Sequence, residues 1–167
     1  MNSLGLPPII QGGMGAAVSS WYLAKTVAQE GQLGVVSGTA LETVVARRLQ
    51  DGDQGGHMRE ALAHFPYPDV AQHVLDTFFL PDGRGGRPYR PMRRISIKPH
   101  TEHDQLTVAA NFVEVWLAKQ AGTGKVGINF LEKLQTATPA ALYGAMLAGV
   151  DAILIDRKST RLNSSHL

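Results

Sequence analysis

A glycine-rich segment near the start of the chain could bind a flat or anionic cofactor. It follows the apolar run Leu6–Ile10, and a helical pattern begins after Ser20. A strand, a glycine turn and a helix in this order bring backbone N–H groups close to such a ligand. Taken alone, the segment fits an ordinary tight turn equally well, since Val18 stands where the G-x-G-x-x-G fingerprint needs a small residue. The segment consists of Gln11, Gly12, Gly13, Met14 and Gly15.

Small and polar residues follow two later apolar runs. Ser37, Gly38 and Thr39 come directly after the second run, and Asn129 lies at the end of the third. Residues at the carboxyl ends of parallel strands point into the site of a barrel, and an Asn amide both donates and accepts hydrogen bonds. Thr39 and Asn129 could instead have purely structural roles, because Thr39 is well placed to cap a helix and Asn129 can hydrogen-bond to its own loop.

Other residue types capable of chemistry form no recognisable site. The chain has no cysteine, which excludes a disulfide, a thiol nucleophile and a Cys-ligated metal. His57, His64 and His73 have no carboxylate at metal-ligand spacing. The segment Gly122–Val126 is similar to a phosphate-binding P-loop, but Lys125 enters a strand instead of a helix. We therefore expect no metal ion.

The hydrophobic pattern predicts short buried strands separated by helices. Ser20 is predicted to cap the first helix, and Thr39–Glu42 has the pattern of a capping box. The predicted strands are Leu6–Ile10, Leu33–Ser37, Lys125–Phe130 and Val150–Ile155, with a short edge strand at Ile95–Ile97. The predicted helices are Trp21–Glu30, 39–51, His57–Phe65, Pro68–Leu80, Asp104–Ala121 and 138–148. This alternation favours an α/β fold with a parallel sheet, interrupted between strands two and three by a largely helical insertion at about 53–124.

Bulk composition narrows the class of protein. The 167 residues fit one domain, and 44% hydrophobic with 18% charged residues is typical of a globular chain. A net charge of +2 gives little attraction to nucleic acid. No signal-peptide pattern opens the chain, and no apolar run approaches the roughly 20 residues of a membrane span. We expect a cytoplasmic protein with no membrane or nucleic-acid partner.

The last twelve residues do not continue the pattern. Residues 156–166 match, codon by codon, a translation of a common sequencing adapter in one frame. We therefore expect residues 156–167 to be non-native, the native part to be residues 1–155, and the chain to be an N-terminal fragment.

Three motifs together resemble the nitronate monooxygenase family, formerly called 2-nitropropane dioxygenases. They are Pro8–Gly15, Leu33–Thr39 and Val126–Asn129, and the resemblance extends over residues 7–155. The family consists of FMN-dependent TIM (β/α)8 barrels, so the resemblance implies the N-terminal half of a barrel, with about four βα units.

The resemblance also assigns roles. It implies that Gln11, Gly12, Gly13, Met14 and Gly15 lie along the flavin of FMN, that Asn129 hydrogen-bonds it, and that Ser37, Gly38 and Thr39 line the same cleft. The phosphate site of such barrels lies after strands seven and eight. The family's catalytic base is expected beyond Ile155 as well, so no catalytic residue is assigned within the chain.

The implied reaction is oxidation of an alkyl nitronate by FMN and dioxygen to a carbonyl compound and nitrite. Two alternatives stay open: an FMN-dependent NAD(P)H:quinone or enoyl-thioester reductase of the same fold, and a non-catalytic αβ binding module. The fragment alone is expected to be inactive, and the resemblance is compatible with a homo-oligomer.

Overall fold

A four-stranded parallel sheet lies at the centre of the computed structural model, which describes residues 5–92, 101–131 and 138–156. The strands are β1 (Ile10–Gln11), β2 (Leu33–Ser37), β3 (Lys125–Leu131) and β4 (Ala152–Asp156). The helices are α1 (Trp21–Gln29), α2 (Leu41–Gln50), α3 (His57–Ala63), α4 (Pro68–Phe78), α5 (Thr101–Lys119) and α6 (Thr138–Leu147). The predicted parallel α/β fold is confirmed in this part of the chain.

The strands follow one another in the sheet in the order β1-β2-β3-β4. The register pairs Leu33 with Lys125 and Ser37 with Asn129, so the carboxyl ends of β2 and β3 reach the same level. Parallel crossovers are almost always right-handed, and a sequential order of strands then places the connecting helices on one face. In agreement, α1 and α5 both contact β2 and β3, and α5 also packs against α6.

The predicted strand boundaries agree best with the structure where glycine or polar residues flank the apolar run. The predicted bounds of β2 are confirmed, whereas β1 is much shorter than predicted. Pro7 and Pro8 have no N–H to donate to a ladder, so pairing begins only at Ile10.

Strand β4 extends one residue beyond the predicted native part of the chain. Asp156, predicted to belong to the non-native tail, is the last residue of β4 and pairs with Leu131. The edge strand predicted at 95–97 and tail residues 157–167 lie outside the described residues.

Helix α5 forms the centre of the helical layer. Its sequence is apolar on most sides, which predicts that more than one surface covers it. The structure confirms this, since α5 contacts each of the other five helices as well as β2 and β3. Most of its length from Leu106 to Ala118 is buried. The part of the predicted insertion that forms α5 therefore packs directly on the sheet, while α3 and α4 pack against α2 and α5.

Two glycines allow α1 to approach the sheet closely. A Cβ at Gly34 would lie 2.0 Å from the carbonyl oxygen of Ala24, and one at Gly124 would lie 2.2 Å from that of Ala28. Both partners are backbone atoms of α1, which cannot move aside as a flexible side chain could. These contacts hold α1 against β2, and thereby place the turn that precedes α1 at the carboxyl edge of the sheet.

A buried carboxylate accepts a hydrogen bond from the first backbone N–H group of α1. Ser20 occupies the predicted N-cap position, but its side chain makes no capping hydrogen bond, so that part of the prediction is wrong. The backbone N–H of Trp21 donates instead to Oε2 of Glu114 at 2.9 Å, and Oε1 of Glu114 pairs with Nη1 of Arg48 on α2. Glu114 is fully buried, and this burial raises its pKa against the opposing effects of Arg48 and the Trp21 amide. One side chain of α5 thus joins α1 and α2.

None of the helices in the described ranges is long and apolar enough to cross a membrane.

Candidate functional site

The glycine turn after β1 and the end of β3 meet at the carboxyl edge of the sheet. Nδ2 of Asn129 donates a hydrogen bond to the carbonyl oxygen of Gly13 at 3.0 Å, across 116 positions of sequence. Gly13 comes this close because it has no side chain: a Cβ there would lie 2.1 Å from Oδ1 of Asn129. Two of the predicted site residues are therefore in direct contact.

Asn129 has one unused hydrogen-bonding atom. Its Oδ1 is buried and has no hydrogen-bond partner among the residues that the structure describes. The Nδ2–Gly13 bond fixes the orientation of the amide, because a flipped amide would place Oδ1 against the Gly13 carbonyl oxygen. A buried amide oxygen without a donor costs about 1–3 kcal/mol, so an N–H or O–H group brought to this atom would stabilise the site.

The turn is held from behind by Gln11 and Ser19. Oγ of Ser19 accepts hydrogen bonds from the Met14 N–H at 2.9 Å and from Nε2 of Gln11 at 3.1 Å, while the Ser19 N–H donates to the Met14 carbonyl oxygen at 3.1 Å. Nε2 of Gln11 also donates to the Gly12 carbonyl oxygen, and Oε1 of Gln11 accepts from the Val35 N–H at 3.1 Å. Gln11 thus braces the turn against β2 and is not a free ligand-binding side chain.

The glycines of the turn have different roles. Gly15 has a left-handed backbone, with φ of 57°, a conformation that favours glycine. Gly12 and Gly13 do not, and only Gly13 is required for close approach, because a Cβ at Gly12 would meet nothing within 4 Å. Met14 projects outward and is 68% exposed. The turn therefore presents one flexible apolar side chain beside a rigid backbone.

Ser37, Gly38 and Thr39 lie next to the same edge. Ser37 is opposite Asn129 in the register, and the Gly38 N–H donates to the Asn129 carbonyl oxygen at 2.9 Å. The Ser37 hydroxyl donates to Oγ1 of Thr39 at 3.4 Å. Ser37 is only 1% exposed, which makes it a supporting residue more than a surface for a ligand.

The capping box predicted at Thr39–Glu42 is wrong. The N-cap residue of α2 is Ala40, with a left-handed φ of 54°, so Thr39 lies one position before the cap. Within the described part of the chain, no side chain accepts a hydrogen bond from the start of α2.

Ser19 is a residue of the candidate site that the sequence pattern did not identify. The chain contains adjacent serines, and the pattern at the helix start favoured Ser20. Ser19 is 3% exposed. It accepts a hydrogen bond from the Met14 N–H and donates one to the Met14 carbonyl oxygen, and these bonds depend on the shape of the turn, which the sequence pattern does not show.

We expect Ser19→Ala to lower the free energy of unfolding by about 2 kcal/mol, because the buried Ser19 hydroxyl accepts two hydrogen bonds, from the Met14 N–H and from Nε2 of Gln11, and both are lost. The matched control is Ser20→Ala, whose side chain makes no capping bond and which we expect to change stability by no more than about 0.5 kcal/mol. Urea unfolding followed by tryptophan fluorescence measures both. Equal losses in the two variants would show that the Ser19 hydroxyl does not hold the turn.

Two histidines make aromatic contacts on the helical layer. His57 packs on Trp21 with ring centroids 4.9 Å apart, and His64 stacks on Trp116 at 4.5 Å. Among the described residues, no group of three or more His, Cys, Asp or Glu side chains is placed to hold a metal ion.

Comparison with known proteins adds no assignment: no family model, curated protein or solved structure matches this chain.

Proposed function

We propose that this chain forms the flavin-ring wall of an FMN-dependent nitronate monooxygenase, which converts alkyl nitronates and dioxygen to carbonyl compounds and nitrite. The observation that supports this most is the contact between Gly13 and Asn129. The family resemblance assigns both residues to the flavin, although they are far apart in sequence. The sequential strand order β1-β2-β3-β4 is also compatible with half of a (β/α)8 barrel.

The residues at this edge fit the pyrimidine end of a flavin. That end of the ring carries an N–H group between two carbonyl oxygens, so it needs an acceptor and donors together. Oδ1 of Asn129 is a buried acceptor without a donor. The backbone N–H groups of Gly13 and Gly15 have no acceptor in the described part of the chain. The edge therefore contains both kinds of group, and we propose that a small shift of the turn uncovers Oδ1 when FMN binds.

In this proposal FMN supplies the redox chemistry, and the protein supplies binding and orientation. Asn129 and the glycine turn hold the ring edge, while Ser19 and Gln11 keep the turn rigid. Rigid support matters because a site displaced by about 1 Å can lose a factor of about 100 in rate. We propose that the phosphate clamp and the base for the nitroalkane lie in the remaining half of the barrel.

The test uses the gene product translated from the genomic reading frame through Ile155 and beyond. We expect that frame to add the remaining strand–helix units of an eight-stranded barrel. The purified product should carry FMN, consume oxygen with propyl-2-nitronate and release nitrite. The 167-residue chain alone should show no turnover.

Two outcomes would replace the proposal. Rapid anaerobic reduction of the flavin by NADPH in a stopped-flow experiment would assign a reductase. Absence of the visible flavin absorbance from the longer product would favour a non-catalytic αβ binding module. Turnover of a nitronate by the 167-residue chain would contradict the assignment of the base to a later segment.

A further inference from the structure

Two exposed tyrosines meet on the helical layer. The hydroxyl groups of Tyr67 and Tyr143 are hydrogen-bonded to each other, although the two residues are 76 positions apart in sequence. Tyr67 is the N-cap residue of α4, and Tyr143 lies in α6. They are 43% and 44% exposed, so small reagents in solution can reach both rings. The chain contains four tyrosines, and within the described residues no other two of them share a contact.

The ring of Tyr67 is held by aromatic packing. Phe65 meets it edge to face, with ring centroids 5.6 Å apart and an interplanar angle of 69°. Phe65 is buried and packs in turn on Phe112 of α5, at a centroid distance of 5.1 Å. Edge-to-face pairs of this kind are favourable beyond the area that they bury. Three rings in contact therefore connect the position of Tyr67 to the buried helix α5.

The backbone of α6 positions Tyr143 against the same helix. A Cβ at Gly144, the next residue, would lie 2.1 Å from the carbonyl oxygen of Val108 on α5. Ala141 and Ala145 are buried on the same side of α6, at the spacing that places residues on one helix face. Because α5 fixes both partners, the two tyrosines are brought together by the packing of the fold.

Two phenol hydroxyls in contact are arranged for oxidative coupling. One-electron oxidation of a phenol with loss of its proton leaves a radical whose unpaired electron is shared between the oxygen and the ortho carbons of the ring. Two such radicals held side by side combine faster than radicals that must first meet by diffusion. We propose that Tyr67 and Tyr143 form an intramolecular dityrosine cross-link when hydrogen peroxide and a haem peroxidase act on the protein.

The coupling balances without any group from the candidate flavin site. Each hydroxyl loses one electron and one proton, and the two radicals form a carbon–carbon bond between ortho carbons. The proton on each of those carbons then moves to the oxygen of its own ring, which restores both phenols. Hydrogen peroxide accepts the two electrons and two protons and becomes two molecules of water. The cross-link therefore requires neither FMN nor a nitronate.

The experiment treats the 167-residue chain at low concentration with hydrogen peroxide and a haem peroxidase, and digests the monomer for mass spectrometry. We expect one cross-linked peptide pair joining Tyr67 to Tyr143, lighter than the separate peptides by two hydrogen atoms, together with blue dityrosine fluorescence. The same treatment in urea should lower the yield about tenfold, because the unfolded chain no longer holds the rings together. No dityrosine in the monomer, dityrosine confined to covalent dimers, or an equal yield in urea would overturn the proposal.

Single substitutions supply an independent check. Tyr67→Phe and Tyr143→Phe each keep the aromatic ring but cannot form the phenoxyl radical, so each should abolish the cross-link. Tyr22→Phe is the matched control, because it removes the hydroxyl of a tyrosine on α1 that is 68% exposed, and it should leave the yield unchanged. Dityrosine that persists in the monomer of either Tyr67→Phe or Tyr143→Phe contradicts the proposal.

Discussion

In the proposed FMN site, replacing Gly13 with alanine is expected to lower the FMN affinity of the longer gene product about 100-fold. A Cβ at this position would lie 2.1 Å from Oδ1 of Asn129, so the amide must move. That movement breaks the 3.0 Å bond to the Gly13 carbonyl oxygen and displaces the free acceptor from the site. Overpacking of this kind costs about 1–3 kcal/mol, and a factor of 100 in affinity corresponds to about 2.7 kcal/mol. Titration monitored by flavin fluorescence measures the change.

Gly12→Ala is the matched control. It places the same methyl group one residue earlier, where nothing lies within 4 Å and φ is not positive. We expect Gly12→Ala to change the free energy of unfolding by no more than about 0.5 kcal/mol, whereas Gly13→Ala should lower it by about 1–3 kcal/mol. Asn129→Ala combined with Gly13→Ala completes a double-mutant cycle, and the two effects should not add because the residues touch. Equal losses of stability in Gly12→Ala and Gly13→Ala would show that the close Gly13–Asn129 contact does not stabilise the turn.

Replacing Glu114 with alanine is expected to lower the free energy of unfolding by about 3–5 kcal/mol. Loss of one partner from a buried ion pair has a cost of this size. The Trp21 N–H would lose its acceptor at the start of α1, whereas Arg48, whose side chain is 31% exposed, can still be solvated. We therefore expect most of the loss to come from the Trp21 N–H left without an acceptor and from the cavity left where the buried Glu114 side chain was. Equilibrium unfolding in urea measures it.

Glu102→Ala is the control for this effect, because it removes a carboxylate from the exposed first turn of the same helix. A first-turn acid contributes about 0.3–1 kcal/mol, so the two variants should differ clearly. Comparable losses would show that Glu114 does not join the helices as proposed.

Glu114 should also make the stability of the fold depend on pH. The folded pKa of Glu114 is raised above its ordinary value of 4.5, so the folded state binds this proton more tightly than the unfolded state. The stability that this proton contributes is fully present below pH 4.5 and is lost as the pH rises through the raised folded pKa. Glu114→Ala should lack this component, so its deficit relative to the original chain should shrink as the pH rises across that window.

Much of the local structure follows from the sequence. The pattern of Leu33–Ser37 predicts β2 with its observed bounds, because glycines on both sides, Gly31 and Gly38, limit where a strand could begin and end. The helices between Trp21 and Phe78 begin where predicted, with the exception of α2. The residues near the candidate site were also identified, because small and polar residues at strand ends are visible in a linear pattern.

The failures share a cause. The caps predicted at Ser20 and Thr39 use residues close in sequence, but Glu114 supplies the acceptor for α1 from a distant helix, and no side chain caps α2. The only local sign of Glu114 was a single carboxylate between Val113 and Val115 in an apolar helix. A linear pattern cannot show which distant backbone group such a carboxylate meets.

By itself, the sequence determined the strands, the helices and the parallel sheet, because these depend on periodicity and on breakers such as glycine and proline. It also identified Gly13 and Asn129 as separate candidates. Only the tertiary structure decided that the two residues touch, that Asn129 keeps a buried acceptor free, and that Ser19 holds the turn in place. The physical reason is that close approach depends on the pairing of β2 with β3 and on the packing of α1, both of which bring distant parts of the chain together.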